Sequence, residues 1–576
     1  MQIKKVEISN FRNLDNLSIS FADTCNFIVG ENNIGKSNLL DIFQNIFSNK
    51  QFQASDFIDP AKEIKISLQI KLADVEIGHF EDLFDVADYH LINITCRQLS
   101  PDDSLEFYHT ETNTFIRGSV MKGINYISYD SLKDPKSEIS FNKNGGVGKF
   151  LMHIVSKYLE EKTLTDKDFI KEDKVNELLS DINSKMTKLK SFTDFNINAN
   201  SESDLEKLLA RMIVLKDEKG NLLAKAGYGV QFLILISLSI LEKIQIINEQ
   251  KREGGIFESE DGKKYISLII GLDEPEIHLH PYMQRSLVKY LNEIILNQNS
   301  QFQELVKDIF KIDGFNGQIL IVTHSPNILL NDYKQIVRFY LDGGVTKVKS
   351  GNDINLVGDI SKHLYKQFIY FKEAFFSRCV IFAEGDSEEG SFSEFSKKIL
   401  TTELDDLGIS LIQTHGGGIN TIKIFIDLSS RFDIRSVGIG DKDNNTLLAT
   451  PPLYMTSKKD FEEEIISLVD AGKEDVLRQI VINYDKNGDR SIVQLNKAIS
   501  ISKTYNIVTP PTLVADLKLA DILTTQNIEL KLFYLSWLES NKGFMSGKLI
   551  GETLSLEDIP QIYKDVIKEA EIKAKS

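Results

Sequence analysis

Short apolar runs alternate along this chain with segments whose apolar positions recur at helical spacing. Buried strands are predicted at residues 26–29, 265–272 and 318–322. The longest apolar run, residues 232–241, is too short to span a bilayer and predicts a buried helix. The helix predicted after the first strand has an apolar stripe of Leu39, Leu40, Ile42, Phe43 and Ile46. Strands that lead into helices in this way predict an α/β fold.

The pattern changes beyond residue 345. A polar stretch at 349–359 and an amphipathic run at 364–376 predict a connector. Three further strands follow it, at 379–383, 410–413 and 436–440. The carboxyl-terminal part is therefore predicted to form a second α/β domain.

Composition limits the class of protein. A chain of 576 residues with 42% hydrophobic content should divide into about two to four domains. The net charge of −17 argues against a uniformly basic nucleic-acid surface, although a local basic groove remains compatible with DNA binding. The three distant cysteines, Cys25, Cys96 and Cys379, are predicted to be buried and unpaired. The amino terminus lacks an apolar signal core, and a cytoplasmic location without a membrane partner is expected.

The first strand leads into a glycine-rich loop of the form G-x4-G-K-S. In such a loop, backbone N–H groups wrap the phosphates of a nucleotide, Lys36 reaches the β- and γ-phosphates, and Ser37 ligates Mg²⁺. ATP with one Mg²⁺ is the predicted cofactor. The candidate binding residues of the loop are Gly30, Asn32, Asn33, Gly35, Lys36 and Ser37.

Two other predicted strands end in residues that would complete the ATP site. Asp273-Glu274 ends the second strand, where Asp273 would hold the Mg²⁺ shell and Glu274 would orient or deprotonate water. Thr323-His324-Ser325 ends the third strand and would place the His324 imidazole near a γ-phosphate. The pair His278 and His280 is predicted to be loop packing, because no further ligand follows at zinc spacing.

A second group of carboxylates follows the later strands. Glu384 ends one strand, and Glu388 follows one helical turn later. Gly416-Gly417-Gly418 follows the next strand, and Asp441 and Asp443 follow the last, where alternation would put both on one side. Such a group can hold one or two Mg²⁺ or Mn²⁺ ions for phosphodiester chemistry.

The long separation of the two ATP motifs resembles the ABC-type ATPases of the SMC and RecF kind. In Asn10-Phe11-Arg12-Asn13-Leu14, the resemblance implies that Arg12 lies near the nucleotide. It also implies that Gly227 and Gly229 form a signature segment that covers the γ-phosphate bound by a second copy. The usual Leu-Ser-Gly-Gly string is absent, and a simple turn into the helix is the alternative. A homodimer or higher even-numbered oligomer through the ATPase domain is expected.

The order Glu-Gly, glycines and Asp-x-Asp resembles the TOPRIM domain. ATPase and TOPRIM together resemble the OLD (overcoming lysogenization defect) family of ATP-dependent nucleases. That resemblance implies that Glu384, Glu388, Asp441, Asp443 and Glu462 ligate metal. It also implies that a lysine assists at the scissile phosphate, with Lys542 as the candidate and Lys548 as the alternative.

The predicted organisation is an ATPase domain at residues 1–152 and 213–360, a helical insertion at 153–212, and a TOPRIM nuclease domain at 361–576 with a helical carboxyl-terminal part. The family resemblance implies that the insertion helps dimerisation, and a helical hairpin that contacts only its own subunit is the alternative. The family resemblance implies a DNA endonuclease governed by nucleotide state, in antiphage defence, with a helicase or a retron reverse transcriptase and its msDNA as possible partners. A non-nucleolytic RecF-like DNA-binding or repair module, a topoisomerase or primase, and a regulatory ATPase with a vestigial metal site are the alternatives. Cutting preference, trigger and the sign of the ATP response are not encoded in any motif.

Overall fold

A computed structural model of the chain describes the following residues: 1–81, 83–130, 148–162, 177–180, 216, 228–249, 255–277, 279–356, 367–415, 418–443, 449–484, 491–511 and 513–576. Its contacts divide the chain into two compact units. The first comprises residues 1–16, 22–27 and 37–328, and the second comprises 17–21, 28–36 and 329–576. The predicted domain boundaries at 152, 212 and 360 stay a prediction, and most of the 153–212 insertion lies outside the described residues.

Fourteen α-helices lie in the described part of the chain. They are α1 (Lys36–Ser48), α2 (Gly118–Met121), α3 (Gly148–Lys162), α4 (Tyr228–Glu249), α5 (Pro281–Ile295), α6 (Ser300–Phe310), α7 (Asp386–Leu400), α8 (Gly418–Arg431), α9 (Phe461–Asp470), α10 (Glu474–Tyr484), α11 (Leu495–Thr504), α12 (Asn527–Ser540), α13 (Phe544–Thr553) and α14 (Gln561–Lys575).

Nineteen strands accompany them in the same described ranges. They are β1 (Gln2–Ser9), β2 (Leu17–Ser20), β3 (Cys25–Val29), β4 (Ile64–Lys71), β5 (Leu91–Gln98), β6 (Glu106–His109), β7 (Phe115–Ile116), β8 (Asn125–Asp130), β9 (Ile256–Glu258), β10 (Lys264–Asp273), β11 (Gly314–Val322), β12 (Ile336–Asp342), β13 (Val345–Ser350), β14 (Cys379–Ala383), β15 (Ile409–Gln413), β16 (Arg435–Gly440), β17 (Leu453–Met455), β18 (Ile492–Val493) and β19 (Leu517–Lys518).

The first unit contains an antiparallel array and a largely parallel one. Strand β1 pairs with β4, β4 with β5, β5 with β6, and β6 with β7, all antiparallel. Strand β10 lies between β11 and β8 and is parallel to both, in register Asp273 to Val322 and Asp273 to Asp130. The near-continuous burial of β10 and β11 is typical of strands covered on both faces. The chain therefore leaves β10 and β11 at one common edge.

The second unit holds an all-parallel sheet in the order β15-β14-β16-β17. Helices α7, α8 and α14 pack on its strands. The core beside the sheet is aromatic: the fully buried Tyr563 ring meets Phe392 and Phe461 at centroid distances of 5.6 Å each. A parallel sheet directs the ends of β14 and β16 to the same edge, where chemistry can be assembled from separate segments.

These elements agree with the sequence pattern. The α/β class is confirmed, the six predicted strands lie within β3, β10, β11, β14, β15 and β16, and all three cysteines are buried and free. The predicted apolar helix lies within α4. Residues Gln231–Glu249 of α4 are long and apolar enough to cross a membrane, with a hydropathy of 1.4, and half of the scored segment is buried within the protein. Core helices of non-membrane proteins share these properties.

Candidate nucleotide site and candidate metal centre

In the first unit, the ends of β10 and β11 bring an acid and an imidazole together. Asp273 is the last residue of β10, and Glu274 follows with a left-handed φ of 47°. The Glu274 N–H donates to the Val322 carbonyl at 2.9 Å, which fixes this turn at the sheet edge. His324 Nε2 lies 3.1 Å from Glu274 Oε1. Two residues predicted separately, Glu274 and His324, are therefore in direct contact.

Ser37 and Arg12 are fixed near the start of α1. Ser37 Oγ donates to Asp273 Oδ1 at 2.9 Å, which joins the two predicted Mg²⁺ ligands. The Arg12 guanidinium contacts the Asp41 and Asp56 carboxylates at 2.6 and 2.8 Å. It also donates to the Asn38 side chain at 2.6 Å. Arg12 is thus held against the first turns of α1.

Glu276 is a further acidic residue at this edge that the motifs did not indicate. Its Oε1 accepts the His324 backbone N–H at 2.5 Å. Burial raises the pKa of Glu276 above its usual range. Its position two residues beyond Glu274 is the sequence signal that could have identified it. Glu276 orients the backbone of His324 and so supports the pair of His324 and Glu274.

The glycine-rich loop belongs to the second unit up to Lys36. Gly30 has a φ of 135° and packs on β12 so closely that an added Cβ would lie 2.2 Å from the Phe339 carbonyl oxygen. Lys36 Nζ donates to the Gly30 carbonyl at 2.9 Å and to the Glu31 carbonyl. Asn32 and Asn33 are exposed on the loop.

Other predicted nucleotide residues are placed only in part. Gly35 has a φ of 98°, a conformation that favours glycine. Gly229 lies in the first turn of α4. Gly227 and His278 lie outside the described residues, and His280 is the residue before α5.

The second unit gathers carboxylates at the edge where β14 and β16 end. Glu384 follows β14, Asp441 follows β16, and the Asp441 N–H donates to Glu384 Oε2 at 3.1 Å. A Cβ on Gly440 would lie 3.3 Å from that same oxygen, so the small residue leaves room for the carboxylate. The Phe461 N–H at the start of α9 donates to Asp441 Oδ1 at 3.2 Å. Glu384 and Asp441 come together as the sequence predicted.

Glu388 lies in the first turn of α7 and is almost fully buried, with 2% of its surface exposed. Its Oε2 accepts the Gly385 N–H at 2.9 Å, while its Oε1 is buried and has no hydrogen-bond partner among the described residues. Burial, then the charges of Asp441, Glu462 and Glu384, raise the pKa of Glu388 well above its usual value. A buried carboxylate oxygen left without a donor is the environment that a cation would satisfy.

Glu462 and Lys542 complete this group. Lys542 Nζ lies 3.0 Å from Glu462 Oε2 and 2.9 Å from Glu539 Oε1. Burial opposes the charge of Lys542, but both carboxylates outweigh that effect and raise the pKa of Lys542. Lys548 Nζ instead faces Glu552 at 3.8 Å. Of the two candidate lysines, Lys542 is therefore the one that contacts a predicted metal ligand.

Asp443 lies beyond the end of the strand to which alternation was applied. Strand β16 ends at Gly440, and Asp443 is exposed with a left-handed φ of 43°. Neither Asp441 nor Asp443 lies in a strand, so strand alternation does not apply to them, and their placement on one side stays a prediction. Asp443 is close enough to Glu384 for its charge to contribute, after burial, to the raised pKa of Glu384. It lies at the rim of the cluster.

Asp460, Glu539 and Tyr505 were not indicated by the sequence motifs but also contact this cluster. One oxygen from each of Asp460, Glu462 and Glu539 lies within 4.8 Å of the others. The Tyr505 hydroxyl contacts both Asp460 Oδ2 and Glu539 Oε1 at 2.6 Å. The position of Glu539 in the last turn of α12, three residues before Lys542, was a usable signal, whereas the approach of Tyr505 depends on tertiary packing.

The electrostatics of the cluster fit a divalent cation. Burial is the largest cause that raises the pKa of Asp441 to about 8, and Glu384, Asp460 and Glu462 add to it. Burial likewise raises the pKa of Glu462. Carboxylates that share a buried site resist simultaneous ionisation unless a cation compensates them. Oxygen-only donors of this kind suit Mg²⁺ or Mn²⁺ rather than a soft metal.

Comparison with known proteins identifies both halves of the chain. The family model described as an AAA ATPase domain matches residues 1–145 and 130–329. The model described as an overcoming lysogenization defect protein-like TOPRIM domain matches residues 375–443. The chain belongs to the OLD family. The family prediction, the pairing of ATPase and TOPRIM nuclease domains, and the use of a nucleotide and a divalent metal are thereby confirmed.

Several relatives span most of this OLD family member. The endonuclease GajA of Bacillus cereus (strain HuB5-5) is 24% identical over 503 residues, which covers 68% of this chain and 70% of the relative. The Old nuclease of Escherichia phage P2 is 24% identical over 476 residues and covers 73% of each chain. Among solved structures, the C-terminal region of the Burkholderia pseudomallei OLD protein covers 34% of this chain and 99% of that one, at 15% identity and a TM-score of 0.23.

Proposed function

We propose that this protein is an ATP-binding and ATP-hydrolysing, divalent-metal-dependent DNA endonuclease whose cleavage is governed by nucleotide state. The observation that carries the nuclease assignment is the buried Glu388, whose unpartnered oxygen and raised pKa accompany Glu384, Asp441 and Glu462 at one sheet edge. The relatives named as an endonuclease and a nuclease support this reading.

In the proposed nuclease centre, Glu384, Glu388, Asp441 and Glu462 would hold one or two Mg²⁺ or Mn²⁺ ions, with Asp443 at the rim. The bound metal would supply a Lewis acid and an activated water for phosphodiester hydrolysis. Lys542 would donate to a phosphate oxygen at the scissile bond, because its ammonium is held at the cluster by Glu462 and Glu539. Asp460 and Tyr505 would hold this lysine and its partners in place.

In the proposed ATPase, Ser37 and Asp273 would ligate the Mg²⁺ that accompanies ATP, and Lys36 would bind the phosphates. Glu274 would accept a proton from water or orient it, and His324 would steady the Glu274 carboxylate while facing the γ-phosphate. The loop residues Gly30, Asn32, Asn33 and Gly35 would wrap the phosphates, and Arg12 would lie near the nucleotide. Gly227 and Gly229 would serve the nucleotide of a second copy.

The biological setting we propose is antiphage defence. A homodimer or higher even-numbered oligomer through the ATPase domain, a cytoplasmic location, and a defence partner such as a helicase or a retron reverse transcriptase with its msDNA are parts of the proposal.

The direct test is cleavage of supercoiled plasmid with Mg²⁺ or Mn²⁺, with and without ATP. We expect nicked or linear product from the wild-type protein and none from Glu388→Gln. Asp427→Asn, a change at an exposed carboxylate on α8, is the matched control and should cleave normally. ATP turnover without cleavage under all conditions would favour a non-nucleolytic, RecF-like binding module instead.

A further inference from the structure

An ion pair joins the glycine-rich loop to the first strand of the TOPRIM sheet. Arg378 Nε lies 2.8 Å from Glu31 Oε2, and both residues belong to the second unit. Glu31 is the second residue of the G-x4-G-K-S loop, and Arg378 immediately precedes β14. Neither residue is a predicted ligand of nucleotide or metal. Their contact is thus a direct link between the segments that serve the two proposed chemistries.

Arg378 is anchored to the sheet by its backbone and its aliphatic stem. Its N–H donates to the Gly408 carbonyl at 2.9 Å, just before β15. Gly408 has a φ of 69°, and a Cβ there would lie 3.1 Å from the Arg378 stem. A movement of the Arg378 side chain would therefore be transmitted to the amino-terminal ends of β14 and β15, which this hydrogen bond joins. Glu384 lies six residues further along, about 20 Å away at the rise of an extended strand.

A second contact converges on the same point of the chain. Gly30 packs on the Phe339 carbonyl of β12, and the neighbouring Arg338 is buried. The Arg338 guanidinium donates to the Ser377 carbonyl at 3.3 Å and to the Phe432 and Asp433 carbonyls at 3.1 and 3.0 Å after α8. The loop is therefore linked to Ser377 and Arg378 by two routes, one through β12 and one through the Glu31 carboxylate.

The loop has a reason to move when a nucleotide binds. Lys36 Nζ donates to the carbonyls of Gly30 and Glu31. Phosphate oxygens would compete with these carbonyls for the same N–H donors. A Lys36 ammonium that turned to phosphate would release the Glu31 carbonyl, and the Glu31 carboxylate would then be free to move relative to Arg378.

We propose that the Glu31–Arg378 ion pair transmits the nucleotide state of the glycine-rich loop to the carboxylate centre through β14. This inference rests on the proposed function and names its regulatory contact. Because the pair is partly exposed, with 24% and 53% of the side-chain surfaces accessible, its contribution is a fraction of the total coupling. Removing it should reduce the ATP response by about two- to five-fold, not abolish it.

The experiment compares initial rates of plasmid cleavage with and without ATP in the full-length wild type and in Arg378→Gln. We expect the ratio of the two rates to move toward one by about two- to five-fold in the variant. Its rate without ATP and its ATP turnover should remain within two-fold of wild type. Arg431→Gln, which removes an arginine ion-paired with Asp427 on α8, is the matched control and should keep the wild-type ratio.

A wild-type ratio of one, or an unchanged ratio in Arg378→Gln, would overturn the inference while leaving the nuclease assignment intact. Absence of cleavage by the wild type would instead count against the proposed function. A second readout does not need cleavage: the affinity for a fluorescent ATP analogue with and without a DNA oligonucleotide. If the pair links the nucleotide-bound loop to the DNA-bound carboxylate centre, the two binding free energies are coupled reciprocally, so DNA should shift this affinity in the wild type and shift it less in Arg378→Gln. Equal shifts in both proteins would also overturn the inference.

Discussion

The two candidate sites of this chain differ in how they accommodate negative charge. Glu274 of the first unit has 36% of its side-chain surface exposed and is paired with His324. Glu388 of the second unit is 2% exposed and keeps one oxygen without a donor among the described residues. A nucleotide brings its own charge and metal to the first site, so Glu274 needs only orientation. The proposed metal centre of the second unit would have to attract its metal itself, and its crowded carboxylates would supply the negative charge that does so.

The largest expected effect is the loss of ATP hydrolysis when Glu274 is replaced, which separates the ATPase from the nuclease. Glu274→Gln keeps the shape of the side chain but removes the proton acceptor, so ATP turnover should fall by about 10²–10⁴-fold. Affinity for a fluorescent ATP analogue should stay within about three-fold, because the phosphate contacts are unchanged. Steady-state phosphate release measures the first quantity. Unchanged turnover would assign the base to another residue; Glu304→Gln, at an exposed position of α6, is the control.

The opposite separation, loss of cleavage with ATP turnover kept, is expected from a change in the carboxylate cluster. Asp441→Asn removes a charged ligand, and cleavage of supercoiled plasmid should fall by at least about 10²–10³-fold. ATP turnover should stay within two-fold, because Asp441 belongs to the second unit, whereas Glu274 and His324 belong to the first. Loss of both activities with an unchanged circular dichroism spectrum would contradict the assignment of the two chemistries to separate residues, whereas an altered spectrum would indicate a folding defect.

A smaller effect, on stability, is expected from a change in the packing of α7, the helix that carries Glu388 of the carboxylate cluster. Helices α7 and α13 cross at glycines, and a Cβ on Gly547 would lie 2.0 Å from the Ser387 carbonyl oxygen. Gly547→Ala should lower the free energy of unfolding by about 1–3 kcal/mol through overpacking. Urea unfolding measures this loss. Ser540→Ala at the end of α12 is the control, and equal stability of the two variants would show that the crossing can relax.

The smallest expected effect is a pH dependence of thermal stability, which reports the charge repulsion among the buried carboxylates of the second unit. Since burial and neighbouring acids raise the pKa of Asp441 from 3.8 to about 8, the folded metal-free chain binds this proton more tightly than the unfolded chain. The resulting stability is fully present below pH 3.8 and is lost as pH rises through about 8. With EDTA, the Tm of the wild type should fall by at least about 2 °C between pH 6 and 9. The fall should be smaller in Asp441→Asn; equal slopes would refute the shared-charge account.

The sequence was most informative where chemistry follows a buried strand. Asp273, Glu384 and Asp441 were all placed by the rule that parallel strands end at one edge. Local alternation does not apply to Asp443, because β16 ends at Gly440. The sequence named Lys542 as the candidate, but its contacts with Glu462 and Glu539 and those of Tyr505 with Asp460 and Glu539 could not be predicted, because they depend on how α11 and α12 pack near α9. Gly227 and most of the predicted dimerisation insertion stay predictions.

We propose that the buried carboxylates of the second unit form a divalent-metal centre. Its most direct test is a titration of the nucleotide-free protein with Mn²⁺, followed by calorimetry, in the wild type and in Glu388→Gln. We expect one or two ions to bind to the wild type and Mn²⁺ to bind at least about ten-fold more weakly to the variant, with affinity for the ATP analogue unchanged. Equal Mn²⁺ binding by both proteins would contradict this proposal.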